Sequence, residues 1–153
     1  MGPVIIRDAT RSDFPLLLTI DQTCFSADIA YDADELAYYM ERSQSHTLVA
    51  EVGQQVVGFL LVDIQTLPTG LLATLITLDV VEIARRTGIG SALFARSEAI
   101  LVESGVSRYQ LQVDTTNKSA IEFYRRAGFD WIETLEDYYP NSANAYVMEK
   151  TVL

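Results

Sequence analysis

The sequence predicts a mixed α/β fold, one sheet with helices on both faces, in the order β-α-α-β-β-β-α-β-α-β-β. Three observations carry that prediction. Stretches with apolar residues at helical spacing alternate with β-rich runs. One run, Leu71 to Val81, is apolar on both parities, as a central strand covered on both faces must be. Turn and capping residues punctuate the chain between the runs. At 153 residues, 49% hydrophobic and 21% charged, the chain has the size and composition of one folded unit, taken as residues 3–152.

Each element has a local reason. Val4-Ile5-Ile6 is a short strand, and Thr10 with Asp13 resembles a capping box opening a helix that runs to Cys24. Asp32 and Glu35 repeat that pattern before a second helix, on which Leu36, Met40 and Ser43 share a face. Phe25 to Tyr31 forms the loop between them. Thr47–Val52 and Val56–Ile64 are β-rich runs joined by Gly53-Gln54-Gln55, a hairpin signal. Leu67-Pro68-Thr69-Gly70 breaks the chain before the long central strand. Arg85-Arg86-Thr87-Gly88-Ile89-Gly90 follows, then a helix to Ser104 that Gly105 stops. Tyr109 to Val113 is the next strand. Thr115-Thr116-Asn117 leads a helix ending at Ala127, with Gly128 after it. Asp130–Leu135 and Tyr146–Thr151 close the sheet around a loop holding Pro140-Asn141.

Composition excludes several classes of function. Twenty-one acids against eleven bases give a net charge of −10, which disfavours a partner held by phosphate contacts such as nucleic acid. A single cysteine, Cys24, and a single histidine, His46, leave no disulfide framework and no metal site to expect. Cys24 reads as a small buried hydrophobe and His46 as a surface residue at a strand start. No apolar run suits a membrane span or a signal peptide, so a cytoplasmic protein is expected. Residues 1–51 hold nine acids against three arginines. Such a stretch is a solvated face that aids solubility, or an acidic half that attracts a cationic substrate.

The turn after the central strand carries chemistry. Arg-x-x-Gly-x-Gly between a strand and a helix outlines an anion site, because glycines let backbone N–H groups approach a phosphate and the helix N-terminus adds partial positive charge. A dinucleotide fold competes for the same signal. Gly88-Ile89-Gly90 opens a helix, and Asp114 ends the next strand 24 residues beyond Gly90. Against it, the third glycine position is Leu93, and the motif lies past mid-chain.

Two blocks in order decide between these readings. Leu78-Asp79-Val80 precedes Arg85-x-x-Gly88-x-Gly90. Leu111-x-Val113 precedes Asn117, Ala120 and Phe123-Tyr124-Arg125-Arg126-Ala127-Gly128-Phe129. Together they resemble the GCN5-related N-acetyltransferase (GNAT) superfamily over nearly the whole chain. The tail, Tyr138-Tyr139-Pro140 with Asn144-Ala145-Tyr146-Val147-Met148-Glu149-Lys150, is similar to the ribosomal-protein-alanine N-terminal acetyltransferase branch.

The resemblance implies a mostly antiparallel sheet of six to seven strands, splayed between the fourth and fifth. It implies acetyl-CoA as acyl donor, its pantetheine pairing with free backbone groups at Leu78 and Val80. The pyrophosphate would lie on Arg85, Arg86, Thr87, Gly88, Ile89, Gly90 and Ser91, and Asn117 would offer an amide beyond its role as a helix cap. Tyr124 would protonate the departing thiolate; as a half-buried core aromatic it would do nothing.

The branch's usual glutamate position is Gln112, an amide that cannot accept a proton at neutral pH. Gln112 is left to orient water or substrate. Either another carboxylate serves, with Asp79 and Glu82 nearest in sequence and Asp79 reading equally as a candidate base or a solvated strand-end acid, or the enzyme relies on an already neutral α-amine. The implied reaction is direct acetyl transfer from acetyl-CoA to a primary amine, first of all a peptide or protein N-terminus, by a monomer or homodimer. An acyl-CoA-binding sensor without chemistry is the alternative, and the dinucleotide binder a more distant one.

Overall fold

A computed structural model describes residues 2–152. Seven strands form one sheet: β1 (Val4–Asp8), β2 (Ser45–Val52), β3 (Gln55–Leu67), β4 (Gly70–Val80), β5 (Arg108–Asp114), β6 (Asp130–Leu135) and β7 (Ala145–Thr151). Their order across the sheet is β1-β2-β3-β4-β5-β7-β6. Every neighbouring pair is antiparallel except β4 with β5. The mostly antiparallel sheet excludes the doubly wound dinucleotide fold, whose strands run parallel.

Four helices cover the two faces. On one, α1 (Phe14–Cys24) and α2 (Ala33–Met40) bury Leu17, Ile20 and Leu36 against Val49, Phe59 and Leu61. On the other, α3 (Ile89–Glu103) and α4 (Lys118–Arg126) join a larger core with Leu93, Phe94, Leu101, Leu60, Leu75, Leu111 and Met148.

Both capping boxes form. Thr10 and Asp13 satisfy each other's backbone at a 3₁₀ turn, Arg11–Asp13, that leads into α1. Asp32 Oδ1 accepts from Glu35 N at 2.8 Å while Glu35 Oε1 accepts from Asp32 N at 3.1 Å. Ser43 departs from expectation: it is exposed and lies beyond α2. The reason is local, because Ser45 Oγ donates to the carbonyls of Met40 and Arg42 and ends the helix there. A second 3₁₀ turn, Glu82–Ala84, stands between β4 and the glycine turn and has no counterpart in the sequence reading.

Two irregularities shape the middle of the sheet. The parallel pairing of β4 with β5 covers only Leu72–Leu75 against Arg108–Leu111. Beyond it β4 continues to Val80 and β5 to Asp114, so the two strands part. The pairing of β4 with β3 also shifts, from Leu61↔Thr77 to Val62↔Leu75, which leaves Ile76 as a bulge. A bulge bends its strand and re-aims the side chains after it. Thr77 and Asp79 therefore face α1, while Leu78 and Val80 pack toward α3.

Candidate active site

Strands that part leave backbone groups without partners. Val81 donates its N–H to Val57 O at 2.9 Å, on the β3 side. By strand alternation Leu78 and Val80 turn their N–H and C=O groups the other way, into the splay. That splay floors a cleft of ≈ 1800 Å³ running from the start of α3, past α4, to α2.

At one end lies the glycine turn. Gly88 is the N-cap of α3 at φ 84°, a conformation that costs glycine little, and Arg86 stands at φ 63° beside it. The first helical bond of α3 runs from Ala92 N to Gly88 O at 3.0 Å. The amides of Ile89, Gly90 and Ser91 therefore have no helical partner, and with the helix's positive end they form an anion cradle. An added Cβ at Gly90 would meet the Phe123 ring at 3.6 Å, an ordinary contact, so the fold itself leaves room there.

The cleft wall gathers most of the expected donor-side residues: Leu78, Val80, Arg85, Arg86, Gly88, Gly90, Ser91 and Asn117. Thr87 and Ile89 differ. The Thr87 hydroxyl donates to Ala84 O at 2.5 Å, and the Ile89 side chain is buried in the core, so each can offer only its backbone. Arg85 folds back toward the splay, because Val80 O is an acceptor that β3 does not use. Its Nε donates to that oxygen at 2.9 Å and its Nη2 lies 3.6 Å from Cys24 Sγ. Cys24 is half-buried, and burial pushes its thiol up, as for a small packed residue rather than a nucleophile.

In the middle stand Asn117, Tyr124, Gln112 and Asp79. Asn117 Oδ1 caps α4 by accepting from Ala120 N at 3.2 Å, which leaves Nδ2 as the group it can offer. Tyr124 is packed against Phe94, Phe123 and Phe129 and lines the cleft. Burial raises its pKa far above the usual phenol range, with Asp79 and Tyr139 adding to the rise, so it stays protonated at neutral pH. Gln112 lines the same space, on the sheet face opposite Leu111 and Val113.

Asp79 is not a solvated strand-end acid. It is 1% exposed, because the bulge turns it under α1. Thr77 Oγ1 donates to Asp79 Oδ1 at 2.5 Å and lies 3.4 Å from Asp21 Oδ1. Burial first, then the neighbouring Asp21 carboxyl, raises the Asp79 pKa well above the carboxylate range.

The far end of the cleft is aromatic. Tyr31 meets Tyr39 at 5.5 Å between ring centroids, Tyr39 meets Tyr38 at 5.3 Å, and Tyr138 meets Tyr139 at 4.9 Å. The Tyr31 hydroxyl donates to Ile76 O at 3.3 Å, anchoring the Phe25–Tyr31 loop to the bulge. Burial pushes Tyr139 up to about 12. Beyond the tyrosines Arg42 Nε pairs with Asp63 Oδ2 at 2.7 Å.

Sequence reasoning missed Asp21, Asp63 and these tyrosines as a group. Asp21 carried a signal. Leu17, Ile20 and Cys24 share one stripe of α1, and an acid among them at the same spacing needs an explanation.

A splayed strand edge, an anion cradle and a protonated phenol in one cleft fit the acyltransferase class that uses a CoA thioester. The comparisons agree with that class. Residues 10–129 match the acetyltransferase (GNAT) family model, and the chain belongs to that family, whose members transfer an acetyl group from acetyl-CoA to an amine. It is 28% identical over 152 residues to an N-alpha-acetyltransferase of Sulfurisphaera tokodaii, covering 94% of this chain and 90% of that one. The crystal structure of Ard1 from Thermoplasma volcanium superposes with a TM-score of 0.87 at 29% identity, covering 98% of both chains. The ribosomal-protein-S18-alanine N-acetyltransferase of Escherichia coli shares the fold at a TM-score of 0.85 and 22% identity, covering 98% of this chain and 94% of that one.

Proposed function

We propose that this chain acetylates the α-amine of a peptide or protein N-terminus, by direct attack on acetyl-CoA in one ternary complex. The observation that carries this is the continuity of the cleft: one space holds an anion cradle at one end and an aromatic, acid-flanked arm at the other. Similarity to N-alpha-acetyltransferases along almost the whole chain supports the acceptor class. An α-amine of pKa about 7.7–8.0 is also partly neutral at pH 7, whereas a lysine at about 10.4 is almost wholly charged.

The residues divide the work. Pantetheine lies along Leu78 and Val80, and the pyrophosphate rests on the amides from Arg86 to Ser91, with the arginine charges beside it. The thioester carbonyl faces the Val80 N–H, a donor for the tetrahedral oxyanion. Asn117 Nδ2 holds the arm from the α4 side. Gln112 orients the acceptor or a water. Asp79 takes a proton from the incoming ammonium. The amine attacks the carbonyl carbon, the C–S bond breaks, and the Tyr124 hydroxyl protonates the sulfur while the second proton of the new amide nitrogen passes, through water, to the tyrosinate and restores it. The reaction belongs to the cytoplasm and needs no nucleic acid; among the described residues no helix is long and apolar enough to cross a membrane.

The test is an initial-rate study with both substrates varied, on peptides with free or blocked N-termini, a lysine peptide and spermidine. Intersecting lines on free N-termini alone are expected. Parallel lines, the mark of an acetyl-enzyme, or turnover on the polyamine alone would refute the proposal.

A further inference from the structure

Two buried acids meet where the arms of the cleft join. Asp21 on α1 is 0% exposed and Asp79 on β4 is 1% exposed. Their hydrogen-bond donors do not cover their oxygens. Asp21 Oδ2 accepts the Tyr31 N–H at 2.8 Å. The single Thr77 hydroxyl proton goes to Asp79 Oδ1, with Asp21 Oδ1 at 3.4 Å on its far side. Asp79 Oδ2 is buried with no partner among the described residues. Two full charges side by side without solvent are far more costly than one charge and one proton.

We infer that Asp21 and Asp79 form a carboxyl pair that shares one proton in the resting protein, with Asp79 as the proton acceptor of the reaction and Asp21 as the positioning residue that sets when it can act. The inference rests on the acetyl-transfer reading and deepens it. Of the two, Asp21 is the one with a backbone donor, the Tyr31 N–H, whereas Asp79 keeps an oxygen with no partner among the described residues. Asp79 then carries the shared proton, its carboxyl and that of Asp21 both reaching the Thr77 hydroxyl that lies between them. Above the Asp79 pKa the proton leaves and the pair becomes a strong base. One proton passes from the ammonium, through water, to Asp79, and is released to solvent after turnover; no bond to carbon changes at the pair.

The other groups facing Asp79 leave this logic intact. From α1 there is also Cys24, which burial keeps as a thiol; from the loop before α3, Arg85, whose charge acts to lower the Asp79 pKa; from α4, the protonated Tyr124; from β3, the apolar Phe59 opposite it. Desolvation and Asp21 outweigh Arg85. Because the deprotonated form is the active one, the rate rises as pH passes upward through the Asp79 pKa.

The experiment combines kcat/KM from pH 5 to 9 with ¹³C titration of the aspartate carboxyls, for wild type, Asp21→Asn and Asp79→Asn. Asparagine at 21 keeps an oxygen for the Tyr31 N–H, so the loop stays anchored. Wild type should show an acid limb centred well above ordinary carboxylate pKa values, and one carboxyl titrating with it. Asp21→Asn should shift both downward by about one pH unit or more. Asp79→Asn should remove the limb and lower the plateau by more than about tenfold. An unmoved limb in Asp21→Asn, or a wild-type profile in Asp79→Asn, overturns the inference. The titration separates two failures. A shifted carboxyl in a protein that acetylates no amine overturns the acetyl-transfer reading and the base role with it, whereas ordinary titration in an active enzyme overturns the pair alone.

Discussion

The two arms of the cleft, proposed to hold the acyl donor and the acceptor, are built by different means. The donor arm is mostly backbone: the edge of β4 at Leu78 and Val80, the amides at the start of α3, and the cap of α4 at Asn117. The acceptor arm is mostly side chains from four separate places, the Phe25–Tyr31 loop, α2, β3 and the loop before β7. A backbone site tolerates exchange of many side chains but not of its glycines. A side-chain site can be retuned residue by residue. Donor-arm changes should therefore act on acetyl-CoA binding, acceptor-arm changes on the amine, and changes at the junction on turnover.

The largest expected effect is at Gly90. Because a Cβ there meets Phe123 and Val80 at ordinary distances, Gly90→Val should stay folded while its side chain intrudes on the phosphate cradle. Calorimetry should show acetyl-CoA binding weakened about 100-fold, about 2.7 kcal/mol. Unchanged affinity would put the phosphate site elsewhere. At the junction, Tyr124→Phe keeps the packing against Phe94 and Phe129 and removes only the hydroxyl. A fall in kcat of about 10–100-fold with acetyl-CoA affinity unchanged is expected, and a loss of less than about threefold would make Tyr124 a core residue only. Tyr138 is 48% exposed, so its removal should spare the fold. Tyr138→Ala should raise the peptide KM about tenfold and leave acetyl-CoA binding alone, and a change in the latter would erase the distinction between the arms. The smallest effect is at Gln112. Gln112→Glu supplies a second carboxylate, so kcat/KM below pH 7 should rise a few-fold with acetyl-CoA affinity unchanged.

The same contrast explains what the sequence made legible. All seven strands and four helices could be read from periodicity and caps, because Asp32 with Glu35, Asn117 and Gly88 act on their own neighbours. That the proposed donor-arm residues share one cleft could be anticipated for the same reason, their parts lying within two short stretches. Ile89 and Thr87 mark the limit of that reading: the motif placed their backbones, but the core and the Ala84 carbonyl took their side chains. The acceptor arm was not legible. Asp79 stayed open between a base and a solvated strand-end acid, because the bulge at Ile76, which turns it under α1, has no signature in a run that is apolar on both parities. Asp21 and Asp79 are 58 residues apart, and only the folded sheet brings them together. Tyr31 and Tyr139 converge in the same way.

One measurement bears most directly on the claim that the two arms meet around an α-amine. A peptide carrying both a free N-terminus and an internal lysine is incubated with the enzyme and isotopically labelled acetyl-CoA, and the label is located by fragmentation mass spectrometry. The account predicts one acetyl group per peptide, on the α-nitrogen, with one CoA released for each. Label on the lysine Nζ, or CoA release without acetylated peptide, would contradict it.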